Sequence, residues 1–313
     1  MKFMTLAVKV ALNVHDLNNE ATAGNVSDIR MIDYVDLNGQ RREAPAVSGR
    51  MLKHWHFEHL RKSCLADPDK LPLCDGCRAG EPIRPGEGEP GKIVQVARAE
   101  PEAVSRCVVC DLHGYLIAQQ AKGAAKGVST RRTSRALFSW LMPCLDSEAT
   151  SRQVVHTRVS QQAEMTAGSE KEQSAQMLFY KSYASALYGF VSALDAGRVG
   201  FLDSAQTPAE GVDAAARVKA AVEAYRPLLT GQLGASLSHA MPHADVLEVL
   251  VAVSDTGPLP FPVSPIYPGY AAKYGGLVPT GTTLHVFGIA STPEGATSHE
   301  TLNALFAAIG AAV

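Results

Sequence analysis

Two CxxC pairs place the strongest constraint on how this chain folds. Cys74 and Cys77 form the first pair, and Cys107 and Cys110 form the second. Residues 78–106 between them make a loop longer than the roughly 15–20 residues usual in a two-knuckle zinc site, but the pairing is of the right kind. Four thiolates complete a tetrahedral shell around Zn²⁺ and leave no position open for water. The sequence therefore predicts a structural zinc site that stabilises a segment and performs no catalysis.

The composition is that of a globular protein with a sizeable core. Of 313 residues, 46% are hydrophobic and 19% are charged, which is ordinary for a soluble domain. The apolar N-terminal run alternates through Val8, Val10 and Leu12, and Lys9 interrupts it, so it favours a half-buried strand over a signal peptide. Six cysteines without such a signal are typical of a reducing compartment. We therefore expect a cytoplasmic protein with no membrane partner.

The charge distribution is more informative than the net charge of −2. That net charge gives no indication of a nucleic-acid partner. However, residues 112–145 contain no Asp or Glu, and five cations lie there: Lys122, Lys126, Arg131, Arg132 and Arg135. Such a run is either a solvated surface or a contact with phosphates, and the charges alone leave both interpretations open.

Periodicity and turn signals predict a mixture of strands and helices without a regular βαβ rhythm, which is typical of an α+β fold. An Asn38-Gly39 turn indicates a hairpin, and Thr297 with Glu300 forms a capping box that predicts a last helix running from Thr297 to the end. We expect short helices after Gly49 and Cys110, a helix over 209–229, and strands over 30–37, 40–47, 136–145, 153–160, 177–194, 245–254 and 283–290.

Five runs of sequence occur in an order that identifies a family resemblance. They are PAVSGRMLKHWHFEHL (45–60), DLHGYL (111–116), VVHTRVSQQ (154–162), GSEKEQSAQMLFYKSYASALYGF (168–190) and GQLGASLSHAMP (231–242). Together they resemble the backbone subunit of the type I CRISPR surveillance complex, Cascade, in its DevR (CRISPR-associated autoregulator) branch. The resemblance covers nearly the whole chain and is weakest over 64–110 and 267–281.

The resemblance implies a fold with three parts. These are an RRM-like (ferredoxin-like) palm, an inserted helical fingers region and a β-hairpin thumb. In this chain the palm would comprise residues 1–53, 131–155 and 178–313. The fingers, residues 54–130, would carry the four-cysteine zinc unit, and the thumb would span residues 156–177.

The resemblance also implies a non-catalytic role in a ribonucleoprotein. Such a subunit binds the CRISPR guide RNA (crRNA), polymerises along it with further copies of itself in a helical filament, and presents it for pairing with target DNA. This activity serves antiviral defence or guided transposition. The other partners expected are the guide 5′-handle subunit, the large subunit and the small subunits of Cascade, and an effector nuclease-helicase or transposon proteins reached through the complex.

The candidate RNA contacts combine this resemblance with local chemistry. Ser48 and Gly49 precede the first helix, where N–H groups and nearby cations favour phosphate. Met165 lies at the tip of the expected thumb, where an apolar side chain can hold apart two bases. The remaining candidates are Arg50, Lys53 and His54 on the first helix, Asn13 and His15 at the end of the first strand, Arg131, Arg132 and Arg135 after the fingers, and His156, Arg158 and Gln176 at the base of the thumb.

Three alternatives compete with this interpretation. His56-Phe57-Glu58 followed by a CxxC is similar to the zinc deaminase signature, but Leu73 separates Pro72 from the first cysteine and the second CxxC completes four thiolates. Relatives in type III complexes cut target RNA with an Asp near the thumb, yet residues 147–194 contain no Asp. The autoregulator name suggests a transcriptional regulator, but no run of the sequence is typical of a helix-turn-helix. His54, His56 and His59 point to different sides of a helix, so we expect packing or RNA-facing roles for them.

Overall fold

The computed structural model describes residues 1–17, 19–23, 25–118, 129–160, 175–232 and 240–313. Its strands are β1 (Phe3–His15), β2 (Asn19–Ala23), β3 (Val26–Ile29), β4 (Met31–Val35), β5 (Arg41–Pro45), β6 (Gly86–Glu87), β7 (Val94–Gln95), β8 (Tyr115–Ala118), β9 (Ser129–Arg132), β10 (Ala136–Phe138), β11 (Met142–Pro143), β12 (Thr150–Ser160), β13 (Ala175–Leu194), β14 (Phe201–Leu202), β15 (Thr207–Pro208), β16 (His243–Ser254), β17 (Thr283–Phe287) and β18 (Thr297–His299). Its helices are α1 (Gly49–Ala66), α2 (Asp75–Ala79), α3 (Glu100–Arg106), α4 (Val108–His113), α5 (Ala214–Glu223), α6 (Tyr225–Leu229), α7 (Tyr270–Gly275) and α8 (Leu302–Ala311).

A ten-stranded sheet forms the centre of the fold. Strand β1 lies in its middle, antiparallel to β13 on one side and to β16 on the other. Beyond β16 come β17 and β18, whereas β3 and β2 lie on the β13 side. Strands β10, β11 and β12 also pair with β13. The sheet therefore joins segments from both ends of the chain, and the predicted mixture of strands and helices is present.

The sheet is covered on both faces because its central strands alternate between two apolar cores. On β1, Met4, Leu6 and Val8 face a large core that includes residues of α1, α5, α6 and α8. Phe3 and Ala7 face a smaller core against α7. Full burial of one such side chain stabilises the fold by about 1.5–3 kcal/mol. The two cores hold the sheet in place and position α1 against it.

The end of β1 departs from the predicted alternation. A register shift separates Leu12 from His15, and Val14 adopts a φ of 55° and is 52% exposed. Such a bulge inserts one extra residue and reverses which side chains face inward. His15 is consequently fully buried, and its Nε2 lies 2.9 Å from the Tyr188 hydroxyl. The prediction that His15 faces RNA is therefore corrected, whereas Asn13 remains exposed.

Three predicted helix boundaries are wrong for local reasons. The helix predicted over 209–229 begins at Ala214, because the Asp213 side chain caps it there. After Cys110 the helix ends at His113 rather than continuing, because Gly114 has a φ of 71° and the chain continues into β8. A Cβ at Gly114 would lie 2.3 Å from the Arg132 carbonyl oxygen. Near the C-terminus, residues 297–299 form strand β18 parallel to β17. The last helix instead begins after Thr301, whose side chain accepts a hydrogen bond from the Ala304 N–H at 3.1 Å.

A long hairpin extends from the sheet. Strand β12 pairs with β13 from Thr150 opposite Ser185 to Ser160 opposite Ala175. Val154, Val155 and Leu178 on this hairpin are between 40% and 52% exposed, so these residues project from the core. Residues 161–174, which include Met165, lie outside the described residues. In the described part of the chain, no helix is long and apolar enough to cross a membrane.

Candidate metal centre and nucleic-acid interface

The four predicted metal ligands converge at one point. The sulfur atoms of Cys74, Cys77, Cys107 and Cys110 all lie within 4.8 Å of one another, and three of these residues are buried. The Cys74 and Cys110 sulfurs are 3.9 Å apart. Sulfurs at about 2.3 Å from a tetrahedral ion are separated by about 3.8 Å. The donor set and its spacing therefore fit a single metal ion, which all four cysteines would hold.

Each CxxC pair folds the same way, with its first cysteine preceding a short helix. Cys74 precedes α2, and Cys107 precedes α4, where its sulfur accepts a hydrogen bond from the Cys110 N–H at 3.3 Å. Gly76 inside the first pair has no room for a side chain, since a Cβ there would lie 2.2 Å from the Ile83 carbonyl oxygen. The loop after α2 therefore packs directly on the first pair. We call residues 74–113 the metal insertion.

The four thiols influence one another's protonation. Hydrogen bonds from Cys107 and the other two neighbours lower the pKa of Cys74. Hydrogen bonding with Cys107 and the other thiols, together with burial, raises the pKa of Cys110. One thiolate is thus stabilised by protons on its neighbours, but four thiolates this close together require a cation. A metal ion that binds here displaces those protons, and its binding free energy becomes folding free energy.

A buried carboxylate anchors the metal insertion to the rest of the fold. Asp111, which follows the last ligand, is fully buried between Arg132 and Arg217. The Arg217 Nη1 donates to its Oδ2 at 2.8 Å, and the Gly200 N–H donates to the same oxygen at 2.8 Å. Glu100 on α3 accepts a further bond from Arg132 at 2.7 Å. The insertion is therefore held by a charge network as well as by its cysteines.

This network corrects the assignment of two predicted RNA contacts. Arg132 is only 3% exposed and Arg135 only 5%. Arg132 is committed to Asp111 and Glu100, and Arg135 donates to both carboxylate oxygens of Asp203 at 2.7 and 2.8 Å. Their charges are therefore used inside the protein, because a buried cation needs a buried anion. Arg131, whose side chain is on the opposite face of β9, is exposed.

Four of the five contacts predicted at the start of α1, namely Ser48, Gly49, Arg50 and Lys53 but not His54, line a pocket of about 500 Å³. The Ser48 side chain caps the helix by accepting from the Met51 N–H at 3.3 Å. Gly49 packs so closely that a Cβ would lie 2.6 Å from the Phe138 carbonyl oxygen, so only glycine brings the helix end this near to β10. Arg50 is exposed at the pocket. No acidic residue occupies the first turn of α1, which leaves its positive end available to an anion.

The pocket also includes a cation and an indole ring that were not predicted from the sequence as site residues. Arg30 and Trp140 lie on its wall, with the Arg30 guanidinium 6.0 Å from the Trp140 ring centre. Trp140 is 38% exposed. The signal available in the sequence was a Trp within the cationic run 112–145, which contains no acidic residue. Arg30 had no such signal, because the fold alone brings it beside α1.

Lys53 connects this pocket to the metal insertion. Its Nζ donates to the His113 carbonyl oxygen at 3.0 Å, at the end of α4. Partial burial and, secondarily, the positive charge of Arg84 lower the pKa of Lys53 to about 8. The ammonium group is therefore held where its charge is poorly solvated, and a phosphate at this point would stabilise it.

His56 and His59 of α1 pack in the interior, which is one of the two roles expected for the histidines of this helix. The two ring nitrogens of His56 lie 3.0 Å from His113 Nε2 and 2.9 Å from the Ala221 carbonyl oxygen. Burial lowers the pKa of His56 to about 4, so it is neutral at physiological pH. His59 is bonded to the Gln232 carbonyl oxygen at 3.1 Å. Because His56 is bonded away from the four cysteines, it cannot act as the deaminase ligand. His54 is exposed.

The remaining candidates lie on the hairpin. His156 stacks on Phe179 with ring centres 5.2 Å apart, and its Nε2 lies 3.0 Å from the Tyr183 hydroxyl. Arg158 and Gln176 are on the paired strands, with Gln176 opposite Val159, and their side chains lie outside the described part of the structure. These three positions therefore lie on strands that continue into the central sheet, and they are distant in sequence from α1.

Comparison with known proteins decides the family. The family model described as CRISPR-associated negative auto-regulator DevR/Csa2 matches residues 6–274. The chain belongs to the DevR/Csa2 family. A relative from Methanocaldococcus jannaschii, named CRISPR-associated protein Cas7/Cst2/DevR, is 31% identical to this DevR/Csa2 protein over 86% of each chain. A relative of the same name from Thermoproteus tenax is 32% identical over 80% of this chain and 75% of that protein.

A solved structure shares the fold of this DevR/Csa2 member. A chain of a CRISPR RNA-guided surveillance complex superposes with a TM-score of 0.56 and covers 99% of both chains at 13% identity. At that identity the likeness concerns the fold alone. The family resemblance inferred from the collinear sequence runs is confirmed.

Proposed function

We propose that this DevR/Csa2 protein is a non-catalytic, crRNA-binding backbone subunit of a type I CRISPR surveillance complex. The observation that carries this proposal is the pocket at the start of α1. It combines the N-terminal N–H groups of the helix, the cations Arg30, Arg50 and Lys53, and an exposed Trp140. These are the groups that hold an RNA backbone and stack on bases without reading their sequence.

The family supports the assembly part of the proposal. In this interpretation the central sheet is an RRM-like palm, the metal insertion with flanking residues forms the fingers, and the β12–β13 hairpin is the stem of the thumb. Copies associate head-to-tail along the guide and present it to target DNA, which base pairing selects. Met165, Arg158, Gln176 and His156 would contact RNA at the thumb, and Asn13, His54 and Arg131 along the palm and fingers. The other Cascade subunits and an effector nuclease-helicase or transposon proteins complete the assembly.

We assign Zn²⁺ to the four cysteines. Four thiolates at tetrahedral spacing select Zn²⁺ over the hard cations, and a closed shell supplies folding energy without catalysis. A type III-like subunit that cleaves target RNA is less well supported, since residues 147–194 contain no Asp to act near the hairpin.

The decisive test is whether RNA is bound. We expect the protein, coexpressed with a CRISPR guide transcript, to purify with protected RNA and to form filaments visible by negative-stain electron microscopy. Ribonuclease treatment should shorten or dissolve them. A protein that stays monomeric and RNA-free under these conditions, or one that cuts complementary RNA at regular intervals, contradicts the proposal.

The pKa of Lys53 predicts a pH dependence of RNA binding. The free protein holds Lys53 mainly charged at pH 7 and mainly neutral at pH 9, because its pKa is about 8. Phosphate binds the charged form, so affinity should fall as pH rises, by about tenfold between pH 7 and pH 9. Fluorescence anisotropy with a labelled guide measures this change. Lys53→Arg stays charged and should remove most of the decline; an equal decline in both proteins would show that another group is responsible.

A further inference from the structure

Arg84 lies in the metal insertion but is directed back to α1. Its guanidinium carbon is 4.4 Å from the centre of the Phe57 ring, and its carbonyl oxygen accepts a hydrogen bond from Gln95 Nε2 at 2.6 Å. Its Nε is buried without a hydrogen-bond partner in the described structure. The contact with Phe57 holds the guanidinium in place. Among the described residues its two terminal nitrogens donate no hydrogen bond, so they are the groups that can meet a ligand.

The surroundings of Arg84 are positively charged. Its charge is close enough to Lys53 to lower the pKa of that ammonium group. Arg84, Lys53 and exposed His54 all act on buried His113, whose pKa is lowered first by burial and then by these neighbours and His56. Within the described ranges, no carboxylate lies within 4.0 Å of Arg84 or Lys53. Like charges held together without an anion are costly.

Of the other three arginines of the metal insertion, two are neutralised by carboxylates and the third, Arg78, is exposed. Arg98 pairs with Glu87 and Glu102, and Arg106 lies 3.5 Å from Glu102. The charges of Arg98 and Arg106 are therefore used in ion pairs within the insertion itself. Arg84 instead adds its charge to the row formed by Arg50 and Lys53 on α1.

We propose that Arg84 binds a phosphate of the guide RNA and extends the pocket at the start of α1 onto the metal insertion. This inference rests on the proposed function. The guanidinium presents two N–H groups in a plane, which suits bidentate contact with a phosphate. The four cysteines position the residue, because Ile83 packs against Gly76 inside the first CxxC pair. The metal insertion thus contributes directly to RNA binding.

The test compares Arg84→Gln with Arg106→Gln, which removes the same charge from a side chain that is 63% exposed on the same insertion. Binding of a labelled single-stranded guide RNA is measured over a range of salt concentrations. We expect Arg84→Gln to weaken binding about tenfold, as for a lost charge-assisted hydrogen bond, and to reduce the salt slope by about 0.7 per subunit. Arg106→Gln should leave both unchanged, and Arg84→Lys should restore the slope.

Metal content and thermal unfolding of each variant separate binding from folding. Unchanged zinc content and melting temperature in Arg84→Gln, with weaker RNA binding, support the proposal. It is overturned if Arg84→Gln binds RNA like the unmodified protein, if it loses zinc, or if only DNA binding weakens. Failure of the unmodified protein to bind RNA would instead refute the proposed function itself.

Discussion

Cys107→Ser is expected to abolish metal binding and to unfold the metal insertion while the central sheet remains folded. A structural zinc site supplies on the order of 10–16 kcal/mol in isolated finger peptides, which exceeds what the short helices α2, α3 and α4 can supply by packing. Zinc content should fall from about one ion per chain to nearly none. Hydrogen exchange should accelerate over residues 74–113, and strands β1, β13 and β16 should keep their protection.

The matched control is Cys144→Ser. Cys144 is buried outside the cluster, and its sulfur lies 3.7 Å from the Pro265 carbonyl oxygen, so this variant should retain its zinc and its protection pattern. If Cys107→Ser also unfolds the sheet, the insertion is not a separable unit. If it retains a full complement of metal, Cys107 is not a ligand.

Asp111→Ala is expected to destabilise the fold strongly. It leaves the buried guanidinium of Arg217 without its carboxylate partner, and it removes one of the two carboxylates that pair with Arg132. It also removes the acceptor of the Gly200 N–H. Breaking a buried charge pair by removing one partner costs about 3–5 kcal/mol. The midpoint of denaturant unfolding should therefore fall markedly. The m-value should not change, because the same surface is exposed on unfolding.

The control for this substitution is Asp33→Ala. Asp33 lies 2.6 Å from Arg41, but both side chains are more than half exposed, and exposed pairs contribute little. It should leave the unfolding midpoint nearly unchanged. Equal losses in the two variants would show that the Asp111 network does not anchor the insertion. If Asp111→Ala loses zinc, its loss of stability would be caused by damage to the metal site and not by loss of the charge network.

Features that depend only on residues close together in the sequence were predictable. The alternation in β1, the turn at Asn38-Gly39 and the two CxxC pairs each depend on neighbouring residues, and all are found in the structure. The start of the first helix after Ser48 was predicted in the same way. Local signals therefore located the four-cysteine cluster and one end of the pocket at the start of α1.

Features that depend on distant partners could not be predicted. The bulge that buries His15 follows from the pairing of β1 with β13. The cationic run did not reveal that Arg135 pairs with Asp203, which lies 68 positions away. Arg30 and Arg84 are isolated in the sequence, and only the packing of α1 against β10 and the metal insertion brings them beside the pocket. Whether a charged side chain keeps an internal partner therefore depends on the fold and not on its neighbours in the sequence.

The continuity of strand β13 from the sheet into the hairpin limits which insertions can lengthen the hairpin. Its twenty residues pair with β1 from Ala184 onward and with β12 up to Ser185, so sheet and hairpin share one backbone. Since side chains alternate along a strand, adding a single residue between the two would turn over every face of the hairpin. Only insertions of an even number of residues in each strand leave the side chains on their original faces. Every two residues added to each strand lengthen the hairpin by about 6.6 Å. The length of the paired part of the hairpin therefore changes only in fixed steps.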